Sequence, residues 1–169
     1  MLTLTAGVNR GEFDVTYGDG TTQTVEDLIF GAGVMWGSIE KPGLYVAANI
    51  NKSENHDTDN LGRLIKDSIG VETFMSYRFD NDVRPFVAYN ILDAGDDYVI
   101  QPNFNTDPND VFKRQFAVIG VHYLIDENTI AYAEARKDFS DFESDDKDQQ
   151  SQMEASEDDG IAFGFRYKF

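Results

Sequence analysis

The sequence contains no cysteine, so it has neither a disulfide framework nor a thiolate metal site. Histidine is scarce as well: His56 and His122 are the only two, and their separation is not that of a metal-binding pair. No apolar run approaches the roughly 18–20 residues that a membrane-spanning helix needs. From these absences we expect no metal, no cofactor and no helical membrane anchor.

Positive charge is also in short supply. Lysine and arginine number 14 against 31 aspartates and glutamates, which gives a net charge of −17. Phosphate backbones are bound by basic surfaces, so we do not expect nucleic acid as a partner. The sequence also lacks a nucleophile elbow, a phosphate-binding loop and a metal triad. The paired carboxylates Asp96–Asp97 and Asp145–Asp146 fall in polar stretches that would not bury an acid–base pair, so we do not expect an enzyme.

What the chain does contain is alternation, and it is clearest in the last ten residues. One side of this segment carries only large apolar groups: Ile161, Phe163, Phe165, Tyr167 and Phe169. The other side carries Ala162, Gly164, Arg166 and Lys168. A period of two predicts a β-strand with one apolar and one polar face. An amphipathic edge strand of a soluble protein would also fit this segment alone.

The same pattern recurs in nine segments, and no segment has a helical period. The segments are residues 2–9, 12–17, 27–36, 44–51, 69–80, 83–91, 118–125, 131–136 and 160–169. We therefore predict an all-β fold built from about nine strands.

The predicted connections alternate in length. Four are short: residues 9–11, 38–42, 80–82 and 126–128. Four are long and polar: residues 18–26, 52–68, 92–115 and 139–159. Barrels of the bacterial outer membrane have short periplasmic turns and long extracellular loops. The pattern predicts a transmembrane antiparallel β-barrel, a single domain over residues 1–169, with a periplasmic C-terminus and a multi-pass location in the outer membrane.

The predicted number of strands has a consequence for the barrel. In a nine-stranded meander the first and last strands run in the same direction, whereas bacterial single-chain barrels have an even number of strands. No signal peptide pattern opens the sequence. We therefore expect the barrel domain to be incomplete at its N-terminus.

Three stretches resemble the Gram-negative general diffusion porins, the trimeric proteins of the outer membrane. Residues 77–89 (YRFDNDVRPFVAY) resemble the porin strand-turn-strand with an "LRPSIAY"-type motif. Residues 120–134 (GVHYLIDENTIAYAE) resemble the "GATYYFNKNMSTYVDY"-type hairpin. Residues 160–169 (GIAFGFRYKF) resemble the last porin strand. Each stretch is weak alone, and together they are fairly specific.

The resemblance implies the C-terminal part of a sixteen-stranded barrel, assembled as a homotrimer. It also implies passive diffusion of small hydrophilic solutes and ions, and an assembly machinery that reads the C-terminal strand. The partners implied are outer-membrane lipid and lipopolysaccharide. The constriction loop of the family belongs to its N-terminal half, so no selectivity residue carries over.

The polar positions of the predicted strands supply the candidate pore-lining residues. Inward charges tune ion selectivity in a wide, wet barrel. The candidates are Glu72, Arg78, Arg84, His122, Glu134, Arg136 and Arg166. Arg84 and Arg136 are the best placed, since they lie within strands. The alternative for each is a wall residue paired across strands.

Aromatic side chains gather at the short-turn ends of the predicted strands. Barrels carry such girdles at the membrane–water interface. The predicted girdle residues are Trp36, Tyr77, Phe79, Tyr123, Tyr167 and Phe169.

Residues 139–159 hold nine acidic side chains and one lysine, and we expect a mobile loop. Its negative field would attract cations to the mouth, which predicts a weak cation preference. A second hypothesis is a smaller structural barrel whose acidic loops bind a partner or divalent cations.

Overall fold

The chain folds into one antiparallel sheet in which consecutive strands lie side by side. In the computed structural model, residues 1–16, 20–94, 98 and 110–168 are described. The strands are β1 (Leu2–Thr16), β2 (Thr22–Trp36), β3 (Gly43–Glu54), β4 (Asp67–Arg78), β5 (Val83–Asp93), β6 (Val111–Leu124), β7 (Thr129–Asp138), β8 (Asp141–Glu143) and β9 (Gly160–Tyr167), and the helix is α1 (Lys147–Glu154). The sheet order is β1-β2-β3-β4-β5-β6-β7-β9, and the short β8 pairs with β6.

Because the strands form a meander, their connections alternate between two ends of the sheet. We call the end with residues 37–42, 79–82 and 125–128 the turn side. The other end, with residues 17–21, 55–66, 94–110 and 139–159, is the loop side. Three of the loop-side connections, residues 55–66, 94–110 and 139–159, are longer than every connection on the turn side, as predicted. The connection of residues 17–21 is shorter than predicted.

Two tight turns on the turn side are fixed by short acidic side chains. Asp82 adopts a left-handed backbone conformation with φ of 64°, which aspartate tolerates better than most residues. The Asp126 carboxylate accepts hydrogen bonds from the backbone N–H groups of Asn128 and Thr129, each at 2.8 Å. These bonds, led by the one from Asn128, lower the pKa of Asp126. The prediction of tight turns at residues 80–82 and 126–128 is confirmed.

The sheet holds nine strands, as predicted, but two of them are not the predicted ones. The predicted turn at residues 9–11 lies inside β1, where Gly11 pairs with Asp27 of β2. On one face of β1 the side chains change at this point from Val8 to Arg10 and Glu12. The apolar period is lost here within a continuous strand, so the prediction of a turn at residues 9–11 is wrong. The predicted strand of residues 12–17 is therefore the end of β1, and Tyr17 lies outside the described residues.

With residues 9–11 inside β1, eight strands make up the continuous path of the sheet. β1 therefore runs from the turn side to the loop side, and β9 runs back. The prediction that the first and last strands run in the same direction is wrong. In the described part of the chain, β1 pairs only with β2 and β9 only with β7, so each has one edge without a strand partner.

The segment of residues 139–159 is ordered, which corrects the prediction of a mobile loop without a helix. Its β8 pairs with the start of β6, and Asp146 caps α1 by accepting from the backbone N–H groups of Asp148 and Gln149, both at 3.1 Å. Two apolar side chains, Phe142 and Met153, are buried and anchor the segment. Burial of these two side chains holds the segment in place despite its nine acidic residues.

A hydrophobic core joins the connections on the loop side; we call it the loop cap. Its buried members are Ile65, Ala94, Tyr98, Phe112, Phe142 and Met153. The rings of Tyr98, Phe112 and Phe142 stack in sequence, with centroids 5.6 and 5.2 Å apart. Strand β6 contributes Phe112, so the cap is fixed to the sheet.

A buried polar network completes the loop cap. The Asp59 carboxylate accepts from Nε of Arg63 at 2.6 Å and from the hydroxyl of Tyr98 at 2.5 Å. The guanidinium of Arg63 also contacts Gln149 of α1. Asn60 donates to the Met153 carbonyl at 3.1 Å. The network thus bonds the connection of residues 55–66 to Tyr98 and to α1.

Within the described residues, no helix is both long and apolar enough to cross a membrane.

We predict that Phe142→Ala releases the segment of residues 139–159 from the sheet. Truncating a buried phenylalanine costs about 3–5 kcal/mol, and here the loss falls on one short segment. Hydrogen exchange of residues 139–159 should accelerate while that of β3 to β5 stays slow. The control is Phe139→Ala, since that side chain is 48% exposed. Equal exchange in the two variants would contradict the role of Phe142.

We also predict that the loop cap loosens at alkaline pH. Burial, followed by the hydrogen bond to Asp59, raises the pKa of Tyr98 well above its ordinary value. A raised folded-state pKa gives stability that is complete below about pH 10, the unfolded value, and is lost at higher pH. Proteolysis of residues 55–66 should therefore increase above that pH. Tyr98→Phe should remove this pH dependence, and its persistence in that variant would exclude Tyr98 as the titrating group.

Candidate functional site

One face of the sheet is apolar and exposed; we call it the apolar face. Seven of the eight strands contribute large side chains to it, and β7 contributes Ala131, Ala133 and Ala135. Residues that pair across strands share a face, so the register assigns each side chain. Its exposed large side chains are Leu2, Leu4, Val8, Phe30, Val34, Trp36, Leu44, Ile50, Ile69, Met75, Tyr77, Val87, Ile119, Val121, Tyr123, Ile161, Phe163, Phe165 and Tyr167. Monomeric soluble proteins rarely expose an apolar patch of more than a few hundred Å².

The apolar band crosses the strands obliquely. One row of paired residues runs across the strands through Leu2, Trp36, Val46, Met75, Val87, Ile119, Ala135 and Ile161. Leu2 is the turn-side end of the apolar set in β1, whereas Ile161 is the loop-side end of the set in β9. The band is thus displaced by the six residues from Ile161 to Tyr167 across seven strand steps.

The displacement of the band measures the tilt of the strands. Six residues span about 20 Å along a strand, and seven steps span about 34 Å across the sheet. The strands are therefore tilted by about 30° from the normal to the band, which approaches the tilt of roughly 35–45° from the barrel axis in membrane barrels.

The turn-side border of the apolar band is aromatic. Trp36, Tyr77, Tyr123 and Tyr167 lie on the apolar face at the turn-side ends of their strands, each about half exposed. Phe79 follows β4 and packs against Tyr77 with ring centroids 4.9 Å apart. Five of the six predicted girdle residues thus lie at this border, and the sixth, Phe169, lies outside the described residues.

The loop-side border of the same face is charged. Three ion pairs link neighbouring strands there: Arg10–Glu26 at 2.7 Å, Lys113–Asp93 at 3.3 Å and Lys137–Asp159 at 2.8 Å. The hydrogen bond from Lys137 is the main cause of a lowered Asp159 pKa. All three pairs are at least one-third exposed, so solvent screens them and they add little to stability. Their main effect is to end the apolar band.

The opposite face, which we call the polar face, carries all seven predicted pore-lining residues. The register places them directly: Arg84 pairs with His122, Glu72 with Asn49, and Glu134 with Gly120. Arg78, Arg136 and Arg166 lie on the same face, opposite Gly43, Val118 and Ile130. Whether this face lines a water-filled pore stays a prediction.

Arg84 is held tightly on the turn side of the polar face. It is 6% exposed, and its guanidinium donates to the Ile39 carbonyl at 3.1 Å and bonds to Nδ1 of His122 at 2.9 Å. Arg78 lies nearby, bonds to Asp82 at 2.6 Å and donates to the Glu40 carbonyl. The two arginines thus fix the connection of residues 37–42 over the polar face.

Arg136, on the loop side of the polar face, is also held by several contacts. Its guanidinium contacts Glu157, lies 3.7 Å from Asp138, and sits 4.1 Å from the centroid of the Phe116 ring. Arg166 differs, since its only described contact is a distant one, 6.0 Å from the Tyr132 ring centroid. Arg84 is therefore hydrogen-bonded to His122 on the neighbouring strand, whereas Arg166 meets only the Tyr132 ring on its neighbouring strand among the described contacts.

An aromatic row crosses the polar face, and it was not predicted as a unit. The ring centroids of Tyr45 and Phe74 are 6.1 Å apart, those of Phe74 and Phe86 5.6 Å, and those of Phe86 and His122 4.5 Å. The row covers Gly120, where a Cβ would lie 2.7 Å from the Phe86 ring. The signal in the sequence is a glycine in one strand opposite an aromatic in the next.

In the part of the chain that the structure describes, no group of three or more acidic or histidine side chains is arranged to hold a metal ion. Asp96 and Asp97 lie outside that part. Neither a protein-family model nor a curated protein sequence matches the chain.

We predict that Gly120→Ala destabilises the sheet by about 1–3 kcal/mol. The new methyl would lie 2.7 Å from both the Phe86 ring and the backbone oxygen of Ala133, and a backbone atom cannot move aside cheaply. The matched control is Gly7→Ala, also within a strand, where no atom lies within 4 Å. Denaturant unfolding of both variants in detergent measures the difference. A loss no larger than that of the control would show that the Phe86–Gly120 contact is not tight.

Proposed function

We propose that this chain forms the wall of a channel in the bacterial outer membrane, for passive diffusion of small hydrophilic solutes and ions. In this proposal the apolar face contacts lipid and the polar face contacts water. The turn side, including the C-terminus, faces the periplasm. The proposal includes the homotrimer, the lipopolysaccharide contact and the assembly machinery that the resemblance to porins implies.

The observation that supports this most is the continuous oblique apolar band with two different borders. A sheet in lipid must pair its backbone groups between strands, since lipid offers no hydrogen bonds. It must also present apolar side chains over a constant height while its strands tilt. The strand pairing meets the first requirement for the six strands between β1 and β9, and the drift of the band across the eight strands meets the second.

The borders of the band agree with the same orientation. Tryptophan and tyrosine favour the interface because their rings are apolar while their polar atoms reach water. The ion pairs on the loop side would lie at the level of the lipid headgroups. A soluble sheet would leave this face in water, where each exposed Å² of apolar surface costs about 25 cal/mol.

A second candidate function is a structural barrel that binds a partner through its acidic loops. The order of residues 139–159, with β8 and α1 packed into the loop cap, favours this candidate, because an ordered surface suits recognition. The two candidates differ in conductance. Refolded chain in a planar bilayer should give stable steps if it forms a channel, and none if its interior is filled.

We predict that single cysteines will report the two faces alternately, and the absence of native cysteine makes the labelling unambiguous. The matched variants are Val87→Cys and Ala88→Cys in β5, and Ile119→Cys and Val118→Cys in β6. After reconstitution in vesicles, a fluorophore at 87 or 119 should be quenched by a lipid-attached quencher. A fluorophore at 88 or 118 should be quenched by aqueous iodide. Equal access of iodide to all four sites would overturn the membrane location.

A further inference from the structure

The polar face is hollow on strands β1 to β5. Two concavities of about 460 and 450 Å³ share Thr5, Gly33 and Asn49, so they form one continuous groove. Sites for small molecules commonly measure about 300–1,000 Å³, so each concavity is large enough for a small solute. We call this feature the asparagine groove, and its polar side chains are Thr5, Asn9, Asn49, Asn51, Glu72 and Asn90.

The register brings three of these polar side chains into one row. Asn49 of β3 pairs with Glu72 of β4, and Glu72 pairs with Asn90 of β5. Paired residues share a face, and neighbouring strands lie about 4.8 Å apart, so the row spans about 10 Å across the sheet. A single small solute can therefore contact all three side chains at once.

Glycines form the floor of the groove on β1 and β2. Gly7 pairs with Gly31, and Gly33 lies on the same face two residues further along β2. A Cβ at Gly33 would lie 2.9 Å from Oγ1 of Thr5, and a Cβ at Gly31 would lie 2.9 Å from the Ile50 carbonyl oxygen. Larger residues at these two positions would crowd their neighbours and fill the space, so the depth of the groove depends on the glycines.

The polar row has no partner within the part of the protein that the structure describes. The side chains of Asn49, Glu72 and Asn90 make no hydrogen bond or ion pair with a described residue. An amide offers two N–H donors and one carbonyl acceptor, and a hydroxyl group both donates and accepts. The row is therefore complementary to a solute that carries several adjacent hydroxyl groups.

The charge of the groove favours an uncharged solute. Glu72 is its one ionisable side chain among the described lining residues, and no described lysine or arginine lines it to bind an anion. A metal cation is commonly held by several carboxylates and carbonyls. The described residues contain no cluster of three or more acidic or histidine side chains that could hold one.

An aromatic ring lies beside the polar row. Phe74 lines the groove, is partly exposed, and pairs with two small residues, Ala47 and Ala88, on the strands at either side. The face of an aromatic ring is negative, so it attracts the weakly positive C–H groups of a sugar ring. Phe74 thus supplies an apolar contact next to the hydrogen-bonding groups.

We propose that the asparagine groove binds a neutral sugar as the sugar moves along the polar face. The inference rests on the proposed channel and deepens it, because it names the uncharged, hydroxyl-rich class of solute. Sugar hydroxyls bond to Asn49, Glu72 and Asn90, and C–H groups of the sugar contact Phe74. The groove is open to water, so we expect a Kd of about 1–10 mM, which is weak enough for the sugar to leave.

The test is a titration of the whole refolded chain with maltose, followed by saturation-transfer NMR. The micelles are made of a detergent without a sugar headgroup, which would compete for the groove. Maltose should bind, and maltose with every hydroxyl methylated should not. The double variant N49A/N90A should weaken maltose binding by about tenfold, since each lost hydrogen bond lowers affinity by about two- to tenfold.

A matched pair of variants tests the location of the site. Gly7 and Gly11 both lie on the polar face of β1, and a Cβ at either position meets no atom within 4 Å, but only Gly7 lines the groove. Gly7→Ile should weaken maltose binding by about tenfold because its side chain occupies the groove. Gly11→Ile should leave binding unchanged. Circular dichroism of each variant shows whether the sheet is retained.

The outcomes separate the groove from the channel, because the titration requires no current. Equal binding by Gly7→Ile and Gly11→Ile, or equal binding of methylated maltose, would overturn the sugar site. Binding of calcium ions in place of maltose would overturn it as well. Conductance steps in a planar bilayer without maltose binding would overturn the sugar site alone. Maltose binding without conductance would support the site and overturn the proposed channel.

Discussion

The cross-strand register is the constraint on which the other features depend. Side chains alternate between faces with a period of two, so a slip of one residue would exchange the apolar and polar faces of a whole strand. The row from Leu2 to Ile161 contains only apolar residues because seven successive registers agree. The same registers bring Arg84 opposite His122 and Gly120 opposite Phe86. The apolar band, the polar face and the aromatic row are therefore results of a single pairing scheme.

The two ends of the sheet are held by different means. On the turn side the connections are short, and side chains of the sheet itself hold them, as Arg84 does through the Ile39 carbonyl. On the loop side three long connections build a small core of their own, with Asp59 buried against Tyr98 and the partly buried Arg63 beside Met153. A buried carboxylate is tolerated only with a full set of partners, and Asp59 has them. The loop cap is thus a packed unit with defined contacts to the sheet.

The sequence allowed the strands, their faces and most of the turns to be predicted, because alternation is a local signal and Asp82 and Asp126 form local turns. Three features depended on distant contacts and were missed. The continuity of β1 through Asn9 and Gly11 depends on pairing with β2. The order of residues 139–159 depends on two buried anchors, Phe142 and Met153. The partners of the predicted polar residues, such as His122 for Arg84, depend on the register between strands.

The hydrogen bonds of the loop cap join residues that lie far apart in the chain: Asp59 and Tyr98 are separated by 39 positions, and Asn60 and Met153 by 93. The hairpins of the sheet join much closer neighbours, so their closure loses less chain entropy. The segments of the cap lie close together only once β3 to β7 are paired. We therefore expect the cap to form after the sheet, so protection of its amides should report that the sheet is already in place.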